Sequence, residues 1–394
     1  MFIYPDNEAF LYSGRIDFDN PKAPVMVYAS SYVKVGFTGN TCRVRLANRR
    51  NWAIDSMGVI IDGIQGKIIL AEDRESHEYD LVGDMMSIEV DSEDGTLTLE
   101  APLTVLDDGK HEVTLFKRMD GGAHYVEFLG FEFDDDVVLT KPEAVPLRKI
   151  EVIGDSVSCG EVSEAVHCVA MSDPENNDGF YSNSWFSYSW QVARRIGAEL
   201  HITSQGGISL LDGTGWFNGP DDLRGIESCY DKLEYNPPLG EKSYDCSQWK
   251  PNVIVVAIGQ NDATPADIMK DDYEGEAAVN WRAHYKAFIN RLQTMYDGVT
   301  VICATTLLMH DPNWDKAIDD VVNELNTEFD ESMDGQTDRG KAGAGKPSGR
   351  KKVHHFMYKR TGTATPGHPR IPEHNEMAEE LAAYIESLGE TIWN

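Results

Sequence analysis

The sequence is poor in basic residues and in long apolar runs. It contains 35 Lys and Arg residues but 66 Asp and Glu residues, which gives a formal net charge of −31 at pH 7. Such a charge repels nucleic acid and anionic membrane surfaces, so partners of these two classes are excluded. No stretch of about 18 apolar residues occurs, so no transmembrane helix is predicted. A neutral small-molecule substrate is not disfavoured by an acidic surface, although charge alone does not select one.

Signals for secretion, metal binding and redox chemistry are also missing. Residues 1–15 contain no basic segment followed by an apolar run, so we expect no signal peptide and a cytoplasmic location. The six cysteines are scattered and none forms a CxxC pair, which argues against a zinc ribbon or a redox motif. We therefore expect reduced thiols, no metal and no cofactor.

The first third of the chain has the pattern of short β-strands. Apolar Cys42, Val44 and Leu46 alternate with arginines, and apolar runs end in turns such as Asp62-Gly63. Alternation with a period of two, without a convincing helix, predicts an antiparallel β-sandwich. Because 394 residues exceed one ordinary core, we expect this sandwich to form a domain of its own over residues 1–143.

After Pro146 the pattern changes to strands that alternate with helices. The predicted strands lie at 149–153, 200–203, 253–258, 299–307 and 353–357, and the predicted helices at 184–197, 278–296, 315–330 and 374–387. This order predicts an α/β domain over 147–394, with a doubly wound parallel sheet and helices on both faces.

One segment of this second half, 334–352, is rich in glycine and basic residues. It follows a predicted helix and enters a predicted strand. A phosphate-binding loop runs in the opposite direction, from a strand into a helix. We therefore expect a surface loop.

Four segments carry candidate chemistry, because ligands bind beyond the carboxyl ends of the strands in such sheets. Ser156 follows the first strand and is a candidate nucleophile whose own amide can stabilise an oxyanion. Segment 204–208 offers a glycine amide, and Asn261 offers a side-chain donor. His368 lies between two prolines and is a candidate general base. Each segment alone also fits an ordinary turn or a solvated histidine, but their order along the chain favours a serine hydrolase.

These four blocks resemble those of the SGNH, or GDSL, hydrolases. Further segments resemble carbohydrate esterase family 2 and extend the resemblance over nearly the whole chain; they are 14–15, 111–118, 130–131, 148–156 and 368–378. The resemblance implies a flavodoxin-like SGNH domain preceded by an all-β jelly-roll domain. It also implies an esterase that removes acetyl groups from xylan- or mannan-type saccharides.

The resemblance also implies a role for each residue. Ser156 is the nucleophile and His368 the base, and the oxyanion is bound by the amides of Ser156 and Gly207 and by the side chain of Asn261. Many SGNH enzymes have an Asp three residues before the histidine, where this chain has Thr365. Some members of family 2 use a Ser–His dyad in which a main-chain carbonyl accepts from the imidazole, and the resemblance implies that arrangement here.

The substrate is expected to be an acetylated oligosaccharide, which needs aromatic walls for stacking. Trp216 and Trp314 are the candidates, with core packing as the alternative for both. Two other functions stay open: a lipolytic or thioesterase-type hydrolase with a long apolar groove, and a catalytically decayed glycan-binding protein. The acidic surface is compatible with a homo-oligomer.

Overall fold

The computed structural model describes residues 1–83, 86–90, 97–100, 106–175, 177–338, 349–364 and 366–393. Strands β1 to β20 in these residues are Phe2–Ile3, Leu11–Ser13, Ile16–Asp17, Val25–Met26, Tyr32–Thr38, Cys42–Arg50, Ser56–Ile61, Ile64–Ile69, Ser76–Asp80, Met86–Val90, Leu97–Glu100, Lys110–Lys117, His124–Phe133, Arg148–Gly154, Ala198–Ser204, Lys232–Asn236, Gly240–Ser243, Val253–Ala257, Thr300–Ala304 and His354–His355. Helices α1 to α7 are Ser156–Cys159, Tyr188–Ile196, Ile226–Cys229, Ile268–Asp271, Glu276–Met295, Asn313–Asp338 and Ile371–Ser387.

The N-terminal half consists of two antiparallel sheets. One has the strand order β3-β4-β13-β6-β9, with β1 also paired to β13, and the other has the order β11-β10-β8-β7-β12-β5-β2. Alternate residues of these strands are buried in one shared core, for example Val33 and Val35 from one sheet and Val44 and Leu46 from the other. The predicted antiparallel β architecture is confirmed.

The C-terminal half contains a parallel sheet with the strand order β15-β14-β18-β19-β20. Counted along the chain this order is 2-1-3-4-5, which is a doubly wound topology. Neighbouring residues of β18 point to opposite faces: Ile254 and Val256 pack with α5 and α6, and Val255 packs with α2 and α7. The predicted helices on both faces are therefore confirmed. The order reverses between β14 and β18, and a ligand crevice is expected at that point.

The structure also differs from the predicted elements. The predicted helix 184–197 begins as a 3-10 turn at Ser184–Phe186, and α2 follows only after Ser187, whose side chain caps it by accepting from the Trp190 amide. Residues 334–338 of the predicted loop continue α6, whereas 339–348 lie outside the described residues. In the part of the chain that the structure covers, no helix is both long and apolar enough to cross a bilayer.

Buried ion pairs connect the two halves. Arg15 directly precedes β3, and its guanidinium lies 2.7 Å from the carboxylate of Glu151 on β14. Both side chains are almost fully buried. Glu151 also accepts from Thr203 and Tyr230. Lys67 on β8 pairs with Glu164, which follows α1, at 3.2 Å. Because unpaired charges are costly to bury, these pairs hold the halves in one arrangement.

Candidate active site

Ser156 is the first residue of α1, directly after β14 at the reversal point of the sheet. Gly154 permits this tight strand-to-helix turn, because a Cβ there would lie 2.1 Å from the Ser158 hydroxyl. Asp155 caps the helix by accepting from the Val157 amide at 3.0 Å. Ser156 is 4% exposed, and its hydroxyl has no hydrogen-bond partner among the described residues. The hydroxyl is therefore free to react with a ligand.

The Asp155 carboxylate also connects the loops that follow β14, β18 and β19. Its second oxygen accepts from Gln260 at 2.7 Å and has a longer contact of 3.4 Å with the Asn261 amide. Gln260 in turn accepts from the Thr306 amide. Burial raises the pKa of Asp155 to about 6, although its hydrogen bonds oppose this. The network fixes Asn261 beside the candidate nucleophile.

The structure places the predicted oxyanion donors in the same region. The Asn261 amide donates to the Ile208 carbonyl at 3.0 Å, and only its long contact with Asp155 is weak enough to be exchanged for a ligand. Gly207 has φ +73° and packs closely on Trp216, so no other residue fits there without strain. Within the described residues, the amides of Ser156 and Gly207 donate to no protein acceptor.

His368 is held by a carboxylate that the sequence analysis missed. Nδ1 of His368 lies 2.6 Å from Oδ2 of Asp173, and Oδ1 of Asp173 accepts from the His368 amide and from Arg370, each at 2.9 Å. The prediction of a main-chain carbonyl as the acceptor is therefore wrong. Thr365, on which it was based, lies outside the described residues.

Gly367 makes this contact possible. A Cβ on residue 367 would lie 2.5 Å from Oδ1 of Asp173. The glycine before the histidine therefore marks the close approach of another chain segment. It is a local signal in the sequence that is compatible with such a partner.

The other ring nitrogen of His368 faces a second carboxylate. Nε2 lies 3.4 Å from Oε2 of Glu161, which follows α1. Burial disfavours the imidazolium, but hydrogen bonds and charge from Asp173 and Glu161 outweigh it and raise the pKa of His368 to about 10. The Glu161 amide donates to the Ser156 carbonyl at 3.0 Å, so the imidazole lies near the turn that carries Ser156.

A cavity of about 400 Å³ opens beside Glu161 between the two halves. Its walls include Trp52 and Asp120 from the N-terminal half and Trp216 and Asn236 from the C-terminal half. Trp216 is 67% exposed and Trp52 is 48% exposed, so both rings are available to a ligand. Sequence reasoning missed Trp52, because its strand-rich surroundings carry no chemical signal.

The assignment of Trp314 as a substrate wall is wrong. Its side chain is fully buried, packs edge-on against Trp281 and donates to Asp267 at 2.9 Å. Trp314 is the second residue of α6 and faces the sheet. In the described part of the chain, no three His, Cys, Asp or Glu side chains are arranged to hold a metal ion.

Comparisons with known proteins agree with this arrangement. The family model described as carbohydrate esterase 2 N-terminal matches residues 12–90. The cellulase/esterase CelE of Acetivibrio thermocellus is 26% identical over 390 residues, which are 97% of this chain and 40% of that protein. An acetylxylan esterase/glucomannan deacetylase of Cellvibrio japonicus is 29% identical over 50% of this chain and 52% of that protein. The chain thus spans about half the length, or less, of these curated relatives.

Solved structures match over both halves. An acetyl xylan esterase from the rumen bacterium Butyrivibrio proteoclasticus has a TM-score of 0.71 at 20% identity, and the match covers 98% of this chain and 99% of that one. A family two carbohydrate esterase from Clostridium thermocellum, in complex with cellohexaose, has a TM-score of 0.66 at 24% identity and covers 96% and 98%.

The sheet order and these matches show that the chain shares the fold of the solved carbohydrate esterases, in which an antiparallel β region precedes a parallel α/β sheet. Residues 12–90 match the N-terminal model of carbohydrate esterase family 2, and the chain is similar to a cellulase/esterase along almost its whole length. The predicted resemblance is confirmed.

Proposed function

We propose that the protein is a carbohydrate O-acetyl esterase. The observation that supports this proposal is that Glu161 contacts both segments: its amide donates to the Ser156 carbonyl at 3.0 Å, and its carboxylate lies 3.4 Å from Nε2 of His368, whose Nδ1 contacts Asp173. The names of the relatives, acetylxylan esterase and glucomannan deacetylase, support acetylated xylan- or mannan-type oligosaccharides as substrates. The polar walls of the neighbouring cavity suit a sugar and argue against a long acyl chain.

In the proposed reaction, Oγ of Ser156 attacks the acetyl carbonyl carbon while Nε2 of His368 takes its proton. The amides of Ser156 and Gly207 and the side chain of Asn261 bind the oxyanion. His368 then gives the proton to the departing sugar oxygen, which leaves an acetyl-enzyme. Water attacks this ester and gives a proton to His368, which passes it to Ser156 as acetate departs.

The proposal divides the chain into a jelly-roll domain over 1–143 and an SGNH domain over 147–394. The second domain carries all the reacting groups. The first contributes Trp52 and Asp120 to the cavity, where the sugar chain would bind.

Acetate release from defined acetylated xylo- and manno-oligosaccharides, followed by NMR, tests the function. Ser156→Ala should abolish release, whereas Ser332→Ala, which changes an exposed serine on α6, should leave it intact. Faster cleavage of octanoyl than of acetyl esters would support the lipolytic alternative instead. Glycan binding without acetate release from the unmodified protein would indicate a decayed site.

A further inference from the structure

The Glu161 carboxylate lies at the Nε2 side of His368, where the proposed reaction needs the Ser156 hydroxyl. In the proposed reaction Nε2 must receive the proton of Ser156, but in the structure Nε2 faces the Glu161 carboxylate at 3.4 Å. The Glu161 amide donates to the Ser156 carbonyl at 3.0 Å, so the acid is attached to the same turn as the nucleophile. The side chain is 19% exposed and lines the cavity. It therefore contacts both the base and the space for substrate.

The backbone around Glu161 is held in an unfavourable conformation. Val162 has φ +56°, which β-branched residues rarely adopt, and Gly160 before Glu161 has φ +76°. Val162 is fully buried. Strain of this kind persists where the surrounding structure fixes it, and it is concentrated at functional sites. Here the turn aims Glu161 at His368.

The opposite wall is shaped to accept the same carboxylate. A Cβ on Gly206 would lie 3.1 Å from both Glu161 oxygens and 2.9 Å from Asp120. The Gly206 amide donates to Asp120 at 3.0 Å. The absence of a side chain at residue 206 therefore leaves room for Glu161 beside the imidazole.

We propose that Glu161 is a positioning residue for His368, whose carboxylate holds the Nε2 side of the imidazole in the free protein and yields it to Ser156 when a sugar fills the cavity. This inference rests on the proposed function. A sugar hydroxyl in the cavity can donate to Glu161 and so replace the imidazole as its partner. Substrate binding would then release the base.

The charged groups around His368 determine the direction of the effect. Asp173 contacts Nδ1, Asp155 lies at the end of β14, and Arg370 and the buried, uncharged His374 belong to the start of α7. Asp173 and Glu161 stabilise the imidazolium, whereas the positive charge of Arg370 opposes it. Because the base must be neutral, removing the Glu161 charge makes His368 available at lower pH.

Glu161→Gln keeps the size of the side chain and removes its charge. For 4-nitrophenyl acetate, which is too small to fill the cavity, the acid limb of the kcat/KM–pH profile should move down by roughly one pH unit or more. The gain at neutral pH should be smaller for an acetylated oligosaccharide, because that substrate already displaces Glu161. NMR titration of the His368 imidazole should move in the same direction as the acid limb.

Glu227→Gln is the matched control. Glu227 also contacts a histidine, at 2.9 Å from Nδ1 of His284, but this pair lies outside the site. It should leave both the profile and the His368 titration unchanged. An unmoved His368 titration in Glu161→Gln would overturn the inference while leaving the esterase function intact. Equal gains for both substrates would overturn the release by sugar. If the unmodified protein shows no esterase activity but the His368 titration still moves in Glu161→Gln, the proposed function is refuted and the contact between the two residues is supported.

Discussion

Asp173→Asn replaces the carboxylate that orients His368 with an amide of nearly the same shape. Oδ1 of Asp173 accepts from two donors, the His368 amide and Arg370. The carbonyl oxygen of the new Asn must take that position, so its NH₂ group faces Nδ1. A donor facing Nδ1 forces the imidazole proton onto Nε2, and Nε2 then cannot accept from Ser156. The equivalent change in a serine protease lowers kcat about 10⁴-fold, which is about 5.4 kcal/mol, and we expect a similar loss.

The assay is release of 4-nitrophenol from its acetate between about pH 5 and pH 10, a range that includes the acid limb. The kcat at the upper end of this range should fall, and the acid limb should move to lower pH, because His368 loses a carboxylate that raises its pKa. Asp178→Asn, an exposed change in the same loop, is the control and should retain activity. If Asp173→Asn keeps activity within about tenfold of the unmodified protein, Asp173 does not set the tautomer.

Three further changes test other parts of the structure. Asn261→Ala should lower kcat by about 10²–10³ with little change in KM, as expected for an oxyanion donor; a change in KM alone would contradict that role. Trp216→Ala should raise KM for acetylated oligosaccharides about 2- to 10-fold and leave aryl acetate kinetics unchanged; equal effects on both substrates would show that the ring does not stack on sugar. Glu151→Ala should lower the free energy of unfolding in urea by about 3–5 kcal/mol, since it leaves the Arg15 charge buried and unpaired; a loss below about 1 kcal/mol would mean that water reaches Arg15.

The sequence predicted the parts of the site that follow from regular structure. The apolar runs at β14 and β18 and the turns after them placed Ser156 and Asn261 at one sheet edge, because strand ends and short turns are coded locally. The segment 204–208 followed from the same reasoning, whereas the choice of Gly207 within it came from the family resemblance. Element boundaries were less accurate, because caps such as Ser187 determine them residue by residue.

The contacts that depend on the tertiary fold were not predictable from the sequence. Asp173 belongs to an irregular loop 195 residues before His368, and no periodic pattern relates the two. The sequence left Trp314 open between a substrate wall and core packing; the structure shows that it begins a helix whose inner face covers the sheet. The contact of Glu161 with His368 depends on the path of the turn after α1, which no local pattern in the sequence predicts.

The composite cavity separates two kinds of evolutionary change. In the proposed reaction, all the groups that break the ester lie in the half that contains the parallel sheet, whereas Trp52 and Asp120 belong to the antiparallel half. Mutations in that half can therefore alter which glycan is accepted while the reaction itself is preserved. Diversification of sugar preference among homologous chains is then expected to be recorded mainly in the residues that precede the nucleophile.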